Sequence, residues 1–256
     1  MNSKTLNLNL IKYELRNLVG NIFTLIFGLF FPIFMTVFLG NIIGAKVPEN
    51  MKETVMTNIF ITSSLIIPLA TIFIGYSAVF SQELEKNIPL RFRLFGYSEK
   101  TLLVSKICAN LIFMTVSLFI YTTIVYFALE IQIPTLKSAL ILIVSLYVLA
   151  TCLFILAHGI ALFFKKFGPT YGITMVLYFV IMILSGMFGV QAKDFPEPLK
   201  NVAYFLPTTY ISGEFIDFWQ GGTYNFVPYI QSFIFFAAIS GITLFMAMNY
   251  NKRRIK

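Results

Sequence analysis

One long polar stretch of this sequence, residues 81–106, lies between two very apolar runs. Its basic residues are interleaved with acidic ones; they are Lys86, Arg91, Arg93, Lys100 and Lys106, with Glu83, Glu85 and Glu99. Phe92, Leu94 and Phe95 lie among these charges, and such side chains suit a surface that packs on another protein or on lipid. The chemistry available here is ion pairing and apolar contact, which indicates a region that meets a partner.

Catalytic patterns are missing from the sequence. It contains no G-x-x-x-x-G-K-[ST] loop that could cradle a nucleotide. The only histidine, His158, falls in an apolar run, where a hydrogen bond to a neighbouring helix is favoured over a metal site. The apolar runs carry almost no charged residues, which disfavours an intramembrane enzyme and a proton-coupled carrier. We therefore expect no catalytic residue, cofactor or metal in this chain.

The composition is that of a membrane protein. Of the 256 residues, 58% are hydrophobic and 12% are charged, whereas a soluble domain has about 25% charged residues. Several apolar runs exceed the roughly 20 residues that cross a bilayer. The predicted fold is an all-α polytopic membrane protein with six spans within residues 22–248, at 22–43, 57–80, 103–128, 138–164, 170–189 and 227–248.

Amphipathic and basic segments flank these spans. Residues 1–21 predict an amphipathic helix in the membrane interface, with a frayed tail as the alternative, and residues 249–256 form a basic tail. The apolar stripe of that helix consists of Leu8, Ile11, Leu15, Leu18 and Ile22. Pro32 and Pro68 lie inside the first two spans, where a proline removes a backbone hydrogen bond and predicts a kink.

Three residues predict that the 81–106 stretch folds as short helical pieces. Pro89 disfavours the helical conformation at Ile88, and Gly96 supplies a second break. Ser98 is placed to cap the N-terminus of the third span.

Residues 190–226 are too interrupted by proline and glycine to span a membrane, and too aromatic for a free loop. We expect short re-entrant helices at the outer interface, with aromatic side chains at headgroup depth. Pro207, Tyr210 and Trp219 are the candidate functional residues of this segment.

The distribution of basic residues predicts the orientation. With six spans, 14 of the 19 lysines and arginines fall on the side of the termini and of the 81–106 stretch. Basic residues remain in the cytoplasm, so both termini are predicted to be cytoplasmic in a multi-pass protein of the cell membrane. The net charge of +8 follows from this topology, and no nucleic-acid partner is expected.

The sequence resembles the type-2 ABC exporter permeases over nearly its whole length. In that family the region after the second span reads roughly acidic-x-acidic, Gly-Thr, a Leu-rich turn, Pro-x-Ser and Leu-Leu-x-x-Lys. Here the corresponding residues are Glu83-x-Glu85, Asn87-Ile88, Leu90 to Phe95, Gly96-x-Ser98 and Leu102-Leu103-x-x-Lys106. Asn87-Ile88 and Gly96 depart from the family pattern. The family also carries a Pro-x-x-Tyr-like element before the sixth span, which Pro207 to Tyr210 match.

The resemblance implies a membrane subunit driven by a separate ATPase. Two permease subunits, identical or related, would pack together in the lipid, with two ATPases below them that bind ATP and Mg. A cytoplasmic coupling helix within 81–106 would receive the motion, and cargo would leave the cell. The implied coupling residues are Glu83, Glu85, Arg91, Phe92, Arg93 and Phe95. Phe92 and Phe95 would be apolar knobs, and Arg91 and Arg93 would pair with acidic groups on the ATPase.

Other interpretations remain open. The basic residues of the 81–106 stretch would serve equally to enforce topology alone. The phenylalanine-rich spans suit an amphipathic or hydrophobic cargo, such as a peptide, a drug or a lipid-linked molecule. A different class of protein also fits: a non-transporting membrane sensor or immunity protein that binds a ligand through its external aromatic segment and needs no ATPase.

Overall fold

The computed structural model describes residues 8–254, without the side chains of Phe23 and Arg254. Within this range the chain folds into helices joined by short turns, and no strand is formed. The beginning of the predicted interface helix and the end of the predicted basic tail lie outside the described residues.

Six helices are long and apolar enough to cross a membrane, which confirms the predicted all-α, six-span fold. These are α2 (Ile26–Gly44), α3 (Glu49–Glu85), α5 (Glu99–Ala128), α6 (Leu136–Phe164), α7 (Phe167–Leu184) and α11 (Phe226–Arg254). The shorter helices are α1 (Leu8–Gly20), α4 (Ile88–Leu94), α8 (Glu197–Ala203), α9 (Pro207–Gly213) and α10 (Phe215–Trp219). A single helical turn, Ile22–Leu25, leads directly into α2, and a 3-10 turn, Ala192–Asp194, precedes α8.

Six crossings divide the connections between two ends of the helix bundle. One end, the terminal end, carries α1, α4 and the C-terminus of α11. The other end, the distal end, carries the segment 185–225, which contains α8, α9 and α10.

Most of the helices begin or end outside the predicted spans, and α3 and α11 extend furthest beyond them. Helix α3 begins at Glu49, directly after Pro48, and α11 continues into the predicted basic tail as far as Arg254. Hydropathy marks only the part of a helix that lies in the bilayer. An established helix continues through polar residues, because each added residue gains a hydrogen bond without a new nucleation cost.

Helix α3 is the centre of the bundle. Along its most apolar stretch 94% of the residues are buried within the protein, against 22% for α2 and for α11. The outer helices therefore present apolar sides that require lipid or another subunit. His158 of α6 lies against this centre, and its Nδ1 is 2.6 Å from the hydroxyl of Tyr76 in α3. The predicted hydrogen bond from His158 to a neighbouring helix is thus observed.

Both predicted prolines lie beside π-helical stretches. Ile26–Phe30 precedes Pro32, and Leu69–Tyr76 follows Pro68. A proline cannot donate the backbone hydrogen bond of its turn, and the wider π turn accommodates the mismatch. The helices continue past both prolines with altered hydrogen bonding.

Candidate functional site

The 81–106 stretch folds as the sequence predicts, in short pieces. Helix α3 ends at Glu85, and Asn87 adopts a left-handed conformation with φ of 55° before α4 begins. Gly96 has φ of 88°, and the Thr101 amide donates to Ser98 Oγ at 3.1 Å, which confirms Ser98 as the cap of α5. The first break lies at Asn87 and not at Ile88, because Pro89 occupies the first turn of α4, where no backbone donor is needed.

A buried ionic cluster joins three helices at the terminal end. Lys106 Nζ of α5 donates to Glu14 Oε2 of α1 at 2.8 Å and to Glu83 of α3 at 2.7 Å. The three side chains are only 5–7% exposed. Charges this buried are retained only when they are paired. The cluster therefore fixes the positions of α1, α3 and α5 relative to one another.

Glu14 is a buried carboxyl within this cluster. Burial raises the pKa of its carboxyl above the ordinary value of 4.5, with the nearby Glu83 acting in the same direction and Lys106 opposing it. One lysine between two carboxylates leaves an uncompensated negative charge. A site of this kind favours a proton on one of its carboxyls.

Glu85 connects the same region to α7. Its Oε2 accepts a hydrogen bond of 2.9 Å from the Phe167 backbone amide, the first residue of α7. A carboxylate at this position satisfies one of the unpaired amides of the helix N-terminus and complements the helix dipole. Glu83 and Glu85 thus act within the chain, and they link the end of α3 to three other helices.

Helix α4 has two different sides. Phe92 packs inward, with its ring 5.7 Å from that of Tyr13 and 5.8 Å from that of Tyr97. The opposite side is open and apolar: Leu90 is 53% exposed, Leu94 77% and Phe95 70%. We call Leu90, Arg91, Leu94 and Phe95 the outward face of α4. Of the two predicted apolar knobs, the structure places only Phe95 on this face.

The two arginines of α4 also differ. Arg93 Nη1 lies 3.0 Å from Glu99 Oε1 in an exposed ion pair with the start of α5. Arg91 is exposed on the outward face. Glu14 and Lys106 were not singled out as site residues from the sequence. Lys106 lies inside the predicted third span, and a charge at that depth signals a required partner.

We call the ionic cluster, Glu85 and α4 together the terminal-end junction. A family model described as ABC-2 type transporter matches residues 5–215.

This chain belongs to the ABC-2 type transporter family.

The match includes the whole junction, the first five spans and most of the distal segment. A search of curated proteins gave no match. As a member of this family, the chain is a multi-pass membrane permease component of an ABC transporter.

The distal candidate residues of this ABC-2 permease are structural parts of a folded segment. Pro207 is buried in the first turn of α9, and the Tyr210 carbonyl accepts from the Tyr224 hydroxyl at 3.2 Å. Trp219 is 3% exposed, and its Nε1 donates to the Gln132 carbonyl at 3.0 Å. These residues lie at the opposite end of the bundle from the terminal-end junction, so the permease has two separate candidate regions.

Proposed function

We propose that this permease is the membrane subunit of an ATP-driven exporter. It moves an amphipathic or hydrophobic cargo, such as a peptide, a drug or a lipid-linked molecule, out of the cell. A separate ATPase subunit binds ATP and Mg and docks on the outward face of α4, on the cytoplasmic side with both termini. The open apolar face of α4 is the observation that carries this proposal.

The outward face has the composition of a protein contact. Leu94 and Phe95 are adjacent, large and apolar, and Arg91 beside them supplies a charge for an acidic partner group. Large apolar side chains with this degree of exposure in the cytoplasm indicate a surface that another protein covers. In this proposal Phe92 anchors α4 to α1 through its contact with Tyr13, and Phe95 rather than Phe92 contacts the ATPase.

In this proposal the terminal-end junction transmits a displacement of α4 to the membrane spans. Helix α4 follows directly from α3, the central helix, and Phe92 contacts Tyr13 on α1. The ionic cluster ties α1 and α5 to the end of α3, and Glu85 adds α7. A displacement of α4 is therefore shared by spans two, three and five and by the interface helix.

A second permease subunit, identical or related, completes the proposed assembly. The large apolar exposure of α2, α5 and α11 is consistent with both a subunit contact and lipid contact. The charge asymmetry of the sequence supports cytoplasmic termini.

Copurification tests the docking surface. The tagged chain, extracted gently from native membranes, is expected to retain a stoichiometric P-loop ATPase. The double variant Leu94→Ala/Phe95→Ala should insert normally and lose that partner. A matched control is Ile133→Ala/Leu136→Ala, a pair that is 88% and 79% exposed at the distal end. Retention of the ATPase by the Leu94/Phe95 variant, or equal loss in the control, contradicts the assignment.

The alternative, a sensor or immunity protein, requires its external aromatics to be open to a ligand. Phe205 is 51% exposed, but Phe215, Phe218 and Trp219 are buried, at 0%, 6% and 3% exposure. The burial of these three favours the transport proposal. A preparation that holds no ATPase even after cross-linking would restore the alternative.

A further inference from the structure

A cavity of about 560 Å³ opens at the distal end of the bundle. It lies between the ends of α2 and α3 and the segment that carries α9 and α10. Its volume falls in the range of roughly 300–1,000 Å³ that holds small-molecule ligands in proteins.

The lining of this cavity is of mixed chemistry. Leu39 and Ile43 of α2, with Val55 and Ile59 of α3, contribute apolar side chains. Polar side chains come from α3, α9 and α10. A lining with both apolar and polar side chains fits an amphiphile, whose chain contacts the first and whose head group contacts the second.

The polar part of the lining offers a free hydrogen-bond acceptor. Asn58 Oδ1 is shielded from solvent and has no hydrogen-bond partner in residues 8–254. The hydroxyls of Thr62 and Ser212 already donate to backbone carbonyls, the first to Ser212 and the second to Ser185. An unpaired acceptor in a shielded position costs free energy until a donor reaches it.

The charged residues of the cavity lining favour a cationic ligand. Glu214 and Asp217 both line it, and within residues 8–254 Lys193 is its one basic lining residue. Two carboxylates against one ammonium leave a net negative charge. Both the charge and the free acceptor favour a ligand that is positive and rich in N–H donors.

We propose that this cavity binds the head group of an amphiphile with a primary ammonium. The ammonium donates to Asn58 Oδ1 and is balanced by Glu214 and Asp217, while the alkyl chain lies along Leu39 and Ile43. As a cargo site it rests on the proposed export function. The same chemistry is offered by an aminolipid of the membrane itself.

Three probes in phosphatidylcholine nanodiscs test the site, with the thermal stability of the purified chain as the readout. Decylamine has a charge and N–H donors, decyltrimethylammonium has the charge alone, and decanol has neither. Decylamine should stabilise the chain most and in a saturable way. Equal saturable stabilisation by decyltrimethylammonium or decanol overturns the proposal, since all three probes enter the lipid.

Variants locate the binding. Asn58→Leu and Asp217→Asn should each weaken the decylamine affinity by about tenfold or more, as expected for a lost hydrogen bond or charge contact. Asn58→Asp keeps an acceptor and should bind at least as tightly, which separates a lost contact from a damaged fold. Glu197→Gln is the control, an exposed carboxylate paired with Lys200 outside the cavity. Unchanged affinity in both weakening variants, or equal weakening in Glu197→Gln, overturns the site.

Phosphatidylethanolamine in the nanodiscs distinguishes the two sources. Competition with decylamine supports the ammonium site and identifies a membrane lipid as its occupant. Undiminished decylamine binding supports the site with a separate amine as cargo. The assay contains no ATPase, so its failure removes the cavity assignment alone. Failure of the copurification removes the export function and the cargo role of the cavity, but leaves the ammonium site itself in place.

Discussion

The buried ionic cluster gives the sharpest prediction about this permease. Lys106→Met removes the cation that both Glu14 and Glu83 contact, and leaves two carboxylates that are 5% and 7% exposed. Breaking a buried pair by removal of one partner costs about 3–5 kcal/mol. The variant could instead take up a proton on one of the two carboxyls, whose ordinary pKa is 4.5. At pH 7 this protonation costs roughly 3 kcal/mol, at 1.36 kcal/mol per pH unit, which is similar to the cost of the broken pair.

The measurement is the free energy of unfolding in mixed micelles titrated with a denaturing detergent. Lys106→Met should lose about 3–5 kcal/mol at pH 7. Lys100→Met is the matched control, an exposed lysine earlier in the same helix, and should lose less than about 0.5 kcal/mol. Limited proteolysis should also show earlier cleavage around α1 in Lys106→Met, because the ionic cluster is one of the contacts that hold α1 against α3 and α5.

A neutral replacement of the cluster separates charge from packing. The triple variant Glu14→Gln/Glu83→Gln/Lys106→Met has no buried charge left at this position, and such replacements are often close to neutral in stability. It should recover most of the loss seen in the single variant. If Lys106→Met costs less than about 1 kcal/mol, or the triple variant is as unstable as the single one, the electrostatic reasoning is refuted.

Three further predictions concern other parts of the fold. Gly159→Ala should destabilise the chain by about 1–3 kcal/mol, because a Cβ at this position would lie 2.9 Å from the backbone nitrogen of Leu244. The control in the same unfolding titration is Gly172→Ala, since a Cβ at Gly172 would meet open space. Ser98→Ala should cost about 1 kcal/mol through loss of the α5 cap, whereas Ser98→Asp should retain that stability. The free energy of unfolding should fall as the pH rises from 4.5 through the raised pKa of Glu14, because in this range the Glu14 carboxyl is protonated in the folded state and ionised in the unfolded state. Glu14→Gln removes this titration and should flatten the pH profile. An unchanged slope in that variant contradicts the assignment of the pH dependence to Glu14.

The outward face of α4 could be predicted only in part from the sequence. The spacing of Pro89, Gly96 and Ser98 predicted the breaks around α4, because these residues limit the local backbone. The same sequence made Phe92 and Phe95 equivalent apolar knobs. Their surroundings differ only when α1 packs beside α4, because Phe92 then contacts Tyr13, whereas Phe95 stays 70% exposed.

The distal segment shows the same limit. Its prolines and glycines predicted short helices between residues 190 and 226, and short helices are present. Its aromatic content suggested a surface at headgroup depth, whereas Phe215 and Trp219 are buried in the protein. An aromatic side chain satisfies its apolar surface equally against lipid or against protein, so composition does not distinguish the two.

By itself the sequence determined the membrane class, the six spans and the local breaks after the second span. These depend on hydropathy over about 20 residues and on backbone restrictions of single residues. Only the tertiary structure decided that Lys106 meets Glu14 and Glu83, or that Asn58 faces a cavity with Glu214 and Asp217. Each of these groups joins helices far apart in the chain, and the rotation and depth at which those helices pack determine which side chains meet.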